Sequence, residues 1–155
     1  MVDIFRAQGA NNVKFVWCPN ERFSGDGGPY RNYYPGDAYV DYLCLDGYNW
    51  GSANGSPWQS FNQIYRDSYD EIAALPSSDP VMIGEYGSHT SPGDKAQWIN
   101  DMRASVKTGT YPRLKVMNWF NQNRDNATWQ VNSSQAVLDA YRAFAADPYF
   151  QAKAP

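Results

Sequence analysis

The stretch Val81–Ser88 reads VMIGEYGS, an apolar run that closes on a carboxylate, Glu85, followed at once by an aromatic residue and a glycine. A short apolar run bounded by turn residues reads as a buried strand. This one therefore carries a charge to its C-terminal end. The same signature recurs: Val13–Cys18 (VKFVWC) runs into Pro19-Asn20, Leu43–Tyr48 (LCLDGY) into Asn49-Trp50, and Leu114–Phe120 (LKVMNWF) into Asn121. Helical patterns separate these runs. Val2–Ala10 reads as the end of an amphipathic helix stopping near Gly9, and Phe61–Leu75 spaces Ile64, Tyr65, Tyr69, Ile72 and Leu75 along one face before Pro76. Pro92 stands near the start of a helix through Trp98, Met102 and Val106 to Thr108, and Ser133 or Ser134 caps a last one through Val137, Leu138, Tyr141 and Phe144. Tyr39–Tyr42 reads as a short helical turn, and Glu21–Asp37, with GDGG and NYYPGD, as a functional loop.

Strands alternating with helices specify a parallel sheet built by right-handed crossovers. Two architectures fit four such strands: a small open doubly wound sheet, or half of a (β/α)8 barrel. The open sheet calls for a glycine-rich phosphate turn after an early strand, and the sequence has none. Polar and aromatic residues at every strand's C-terminal end are the mark of a barrel's active face. The expectation is an α/β half-barrel filling one partial catalytic domain over residues 1–155.

Composition narrows the partners. The net charge is -3 and charged residues make up 19%, without the basic clusters that nucleic acid requires. No apolar span has membrane length, and Met1 leads into VDIFRAQ rather than a signal peptide. Aromatic residues reach 16%, with six Trp and twelve Tyr, and such side chains need either a deep core or a flat apolar ligand such as a sugar ring. Cys18 and Cys44 lie in strand runs without metal-ligand spacing, so two buried free thiols are the default; a disulfide requires the two strands to be neighbours. No ligand cluster implies a metal or organic cofactor.

Glu85 at a strand end is either a solvated charge or a catalytic carboxylate facing the barrel mouth. Trp119, ending the next strand, is expected near it as either core or sugar platform, and Tyr48 on the preceding strand offers a hydroxyl to orient a carboxylate. The lone histidine, His89, reads as an exposed turn residue, and Asp67, Asp70 and Glu71 as a solvated helix face. Asn126-Ala127-Thr128 and Asn132-Ser133-Ser134 are sequons, relevant only to a secreted eukaryotic product.

VKFVWCPN, YYPGDAYVDYLCLDGYNWG, PVMIGEYGS and LKVMNWFNQN together resemble the second half of glycoside hydrolase family 26, whose (β/α)8 enzymes include endo-β-1,4-mannanases, mixed-linkage β-glucanases and β-1,3-xylanases. The resemblance runs from about Val2 to Gln151. It implies strands five to eight, with Glu85 as the nucleophile ending strand seven and Tyr48 as the strand-six residue orienting it. It further implies Asp46 as an acidic neighbour and Trp119 as the strand-eight platform beneath the sugar, with Trp50 and Trp17 lining the cleft. Phe120 stands where some mannanases have Arg, which leaves mannan specificity open.

Retaining glycosidases need a second carboxyl group, roughly 5–5.5 Å from the nucleophile, to protonate the leaving oxygen. In the family that acid ends strand four in a Trp-His-Glu-Met-Asn-like stretch, absent here; Glu21, Asp26 and Asp46 have no family precedent for the role. The expected function is hydrolysis of β-1,4-linked mannan or mixed-linkage β-glucan, with this chain providing the nucleophile half. The alternatives are a carbohydrate-binding half-barrel without turnover and a fragment with no sugar affinity. The family implies secretion. A half-barrel's unpaired edges imply self-association or pairing with an N-terminal half.

Overall fold

A computed structural model describes residues 1–22 and 28–151. The GDGG motif and Asp26 lie wholly or largely outside the described residues. The main sheet has four strands in the order β1 (Val16–Trp17), β2 (Tyr42–Asn49), β3 (Val81–Ser88) and β4 (Leu114–Trp119), every pair parallel. Helix α1 (Val2–Ala7) precedes it, α2 (Phe61–Ala73) crosses from β2 to β3, α3 (Lys95–Lys107) from β3 to β4, and α4 (Gln135–Ala145) follows.

Local chemistry starts each crossover helix. Ser60 and Gln63 form a reciprocal capping box at α2, while Asp94 and Ser134 accept from the amides of Gln97 and Val137 at α3 and α4. Asp94 therefore starts α3, two residues after Pro92. Helix α2 buries Phe61, Ile64, Tyr65, Tyr69 and Ile72 against Leu43 and Leu45 of β2 and Val81 and Ile83 of β3, in one core cluster with Trp98 and Met102. Alternate strand residues face this layer, so the intervening ones face the barrel lumen.

Several expectations need correction. The strand read over Val13–Cys18 is only Val16–Trp17, because the Phe15 amide bonds to the Asp41 carboxylate at 2.8 Å instead of joining a ladder. The helical turn read over Tyr39–Tyr42 is a 3-10 turn at Asp37–Tyr39, and Tyr42 already belongs to β2. Cys18 and Cys44 are joined by a disulfide rather than being free thiols, since Trp17 pairs with Leu43 and the next residues on the two strands fall side by side. Beyond β4 lies a hairpin that the sequence did not reveal, β5 (Asn123–Arg124) paired with β6 (Ala127–Thr128). Its turn residues Asp125 and Asn126 both have positive φ, 57° and 60°, the geometry of a two-residue hairpin turn. Among the described residues, no helix is long and apolar enough to cross a membrane.

Candidate active site

The face of Glu85 is decided by a bulge. Ile83 pairs with Leu45, yet the next pair is Glu85 with Asp46, so β3 carries one extra residue, Gly84. Plain alternation would send Glu85 into the helix layer with Ile83; the inserted residue turns it to the lumen side beside Asp46, and sends Tyr86 into the core instead. A Cβ on Gly84 would lie 2.6 Å from Cys44 Sγ, 2.7 Å from Asp46 Oδ1 and 2.9 Å from Cys18 Sγ. Glycine lets the disulfide and Asp46 pack behind Glu85.

Asp46 and Tyr48, two residues apart on β2, share the lumen face. Glu85 is exposed, and its carboxylate accepts a hydrogen bond from the Tyr48 hydroxyl. Burial, and then donation to Glu85, push the Tyr48 phenol well above its ordinary range. The Asp46 carboxylate accepts from the Glu85 amide and lies 3.2 Å from Cys18 Sγ. Burial raises its pKa to about 6, the nearby charge of Glu85 adds to the rise, and the amide partly offsets it. From the helix side, the Tyr65 hydroxyl donates to the carbonyls of Gly47 at 2.7 Å and Glu85 at 3.1 Å, tying the two strands at this level.

Aromatic rings surround Tyr48. Trp50 lies 5.8 Å from its ring, Phe120 5.8 Å edge-on, and Trp129 4.9 Å. Trp50 thus stands beside Tyr48. Trp119 and Trp17 are not brought to this cluster. The Trp119 indole turns into the helix layer against Tyr86, Trp98 and Tyr141, because it pairs with Tyr86 and shares that residue's face. Trp17 packs edge-on against Tyr30 and Tyr34. Both are partly buried and pack against the core. His89 is no free turn residue: its Nδ1 accepts the Thr128 amide at 3.0 Å. Trp129 escaped the sequence reading, since only the hairpin brings it back beneath Tyr48. Among the described residues, one trio of potential metal-ligand atoms comes together, at Cys18, Cys44 and Asp46, and both its sulfurs are engaged in the disulfide.

No family model matches the chain. Over 144 residues it is 43% identical to Endoglucanase H of Acetivibrio thermocellus, covering 92% of this chain and 16% of that protein. A Cellulomonas fimi endo-β-1,4-mannanase, described as a glycoside hydrolase family 26 enzyme, superposes with a TM-score of 0.68 at 25% identity, over 96% of this chain and 34% of its own. The chain is related to glycoside hydrolase family 26. The family 26 mannanase catalytic domain of Bacillus sp. JAMB-750 shares the fold, with a TM-score of 0.67, 24% identity and coverage of 94% and 41%. The chain thus spans about a sixth of the curated relative and a third of the Cellulomonas mannanase. Its parallel sheet and crossover helices match part of the fold of these family 26 enzymes, and the matched region includes the strands that carry Asp46, Tyr48 and Glu85.

Proposed function

We propose that this chain forms the nucleophile half of a retaining endo-glycosidase site for β-1,4-linked plant polysaccharide, either mannan or mixed-linkage β-glucan. The observation that carries the reading is the Tyr48 hydroxyl bonded to the exposed Glu85 carboxylate, with Asp46 under the Glu85 amide. A Glu85 oxygen attacks the anomeric carbon as the bond to the leaving oxygen breaks, and that oxygen takes its electron pair and a proton from a general acid. Water then attacks the anomeric carbon of the glycosyl ester, giving its proton to the same general acid, now a base, and the Glu85 carboxylate is released. Tyr48 holds the carboxylate in line, and Trp50 with Phe120 offers an aromatic wall for the sugar. Among the described residues, the carboxylate beside Glu85 is Asp46, which is engaged with the Glu85 amide. We assign the general acid to barrel segments outside these 155 residues.

A carbohydrate-binding half-barrel is the second reading, favoured by the same aromatic wall with no general acid placed beside Glu85 among the described residues. Soluble mannan and β-glucan oligosaccharides separate the two. Tryptophan fluorescence that responds to glycan, with reducing ends released when the rest of a family 26 barrel is added, supports the enzyme; a response without release under those conditions supports binding alone. No response, and no release, contradicts both.

Residues 1–155 act as one partial catalytic domain in a secreted protein, with polysaccharide as partner. Strands β1 and β4 end the sheet, and Val16 on β1 is 45% exposed, with Ile4 and Phe5 of α1 also exposed. Such edges and apolar surface pair either with a second copy or with the complementary half of a barrel.

A further inference from the structure

The Trp129 indole is 1% exposed although it directly follows a short hairpin, and an unusual number of polar contacts converge on the backbone that carries it. The Lys95 ammonium, on a residue only 3% exposed, donates to the carbonyls of Thr128 at 2.8 Å and Gln130 at 3.0 Å. Trp119 Nε1 donates to the Trp129 carbonyl at 2.7 Å. The Thr128 amide donates to His89 Nδ1 at 3.0 Å, and the Val131 amide to Asn121 Oδ1 at 2.9 Å. Four side chains from β4, α3 and the loops after β3 and β4 thus grip residues 128–131.

The ring so held meets Tyr48 at 4.9 Å and Trp50 at 5.0 Å. Gly87, which pairs with Tyr48 across the sheet, leaves room for it: a Cβ there would come within 3.2 Å of Trp129 Cε3. Tyr48 is therefore confined by Trp129, Trp50 and Phe120, and its free end is bonded to Glu85. We infer that Trp129 is a positioning residue, anchored by the Lys95 and Trp119 contacts to its backbone, that holds the Tyr48 ring where its hydroxyl meets Glu85. The inference rests on the reading of Glu85 as nucleophile for its kinetic consequence only; the geometric consequence stands without it.

A core role alone would change stability and leave the Tyr48 hydroxyl unmoved. The test follows that hydroxyl proton in the 155-residue chain by proton NMR, assigned through its loss in Tyr48→Phe. In Trp129→Leu the signal is expected to broaden beyond detection, and Trp129→Phe, which restores a ring, to recover it. A signal unchanged in Trp129→Leu overturns the inference, as does the lack of any protected Tyr48 hydroxyl in the parent. Should Trp129→Leu not fold, Trp119→Phe, which removes the donor to the Trp129 carbonyl and keeps the indole of Trp129, is expected to weaken the signal. Labelling of Glu85 by a 2-deoxy-2-fluoro dinitrophenyl glycoside should slow about 100-fold in Trp129→Leu, the scale of a misplaced reacting group. If the parent chain is not labelled while the proton behaves as expected, the glycosidase reading fails and the positioning role stands.

Discussion

Tyr48 and Glu85 meet across neighbouring parallel strands because a one-residue bulge at Gly84 turns Glu85 out of the core layer and onto the face of Tyr48. The hydrogen bond between them is a product of register. It gives the site its orientation and makes the surrounding packing relevant to chemistry.

The hydroxyl is expected to matter far more to reaction than to folding. Tyr48→Phe keeps the ring against Trp50, Phe120 and Trp129 and deletes the donor, so stability should fall by about 1 kcal/mol. Labelling of Glu85 should slow by about 100-fold. Equal labelling rates in parent and variant would contradict the orienting role.

The bulge allows no side chain. In Gly84→Ala the new methyl group meets the disulfide sulfurs and Asp46 Oδ1, all closer than 3.0 Å. Overpacking of this kind costs about 1–3 kcal/mol. Denaturant unfolding checks this, and a variant as stable as the parent would show that β3 relaxes without strain.

Asp46 gives stability a pH dependence opposite to that of ordinary paired carboxylates. Its pKa rises from 3.8 to about 6 on folding, so between those values the folded state binds more protons than the unfolded state. Stability then falls as pH rises through that window. Asp46→Asn, which still accepts from the Glu85 amide, should remove this slope in denaturation curves taken across it; an identical slope in the variant would clear Asp46 as its source.

Lys95 acts at higher pH. Burial lowers its pKa from 10.5 to about 7, so between those values the unfolded chain holds a proton that the folded one has released. Stability should rise with pH across that range. Lys95→Met should melt with a flatter profile there, and should loosen residues 128–131. Thermal melts of both proteins from neutral to alkaline pH measure the difference.

The strands and the crossover helices were legible because each apolar run and each amphipathic stripe is local. Leu43–Tyr48 grew by one residue at each end, and Ser134, one of the two serines read as a cap, does cap α4. What failed depended on contacts between distant residues. Trp119 was expected on the Glu85 face, but its pairing with Tyr86 fixes it in the helix layer. Trp17 likewise packs on Tyr30 and Tyr34, which come from the following loop. The Cys18–Cys44 disulfide required knowing that β1 and β2 are adjacent. Trp129 had one local signal, the Asp125-Asn126 turn between short β segments; its place under Tyr48 is set by side chains from β4, α3 and two loops.

The central claim is that Glu85 is a nucleophile. A leaving group as good as dinitrophenolate needs no protonation, so the first step proceeds without a general acid. The most direct measurement is intact-mass analysis of the chain after exposure to a 2-deoxy-2-fluoro dinitrophenyl β-glycoside, followed by peptide mapping. The account predicts one glycosyl adduct, on Glu85, absent from Glu85→Gln. An adduct on any other residue, or none in a chain whose Tyr48–Glu85 hydrogen bond is intact, would contradict it.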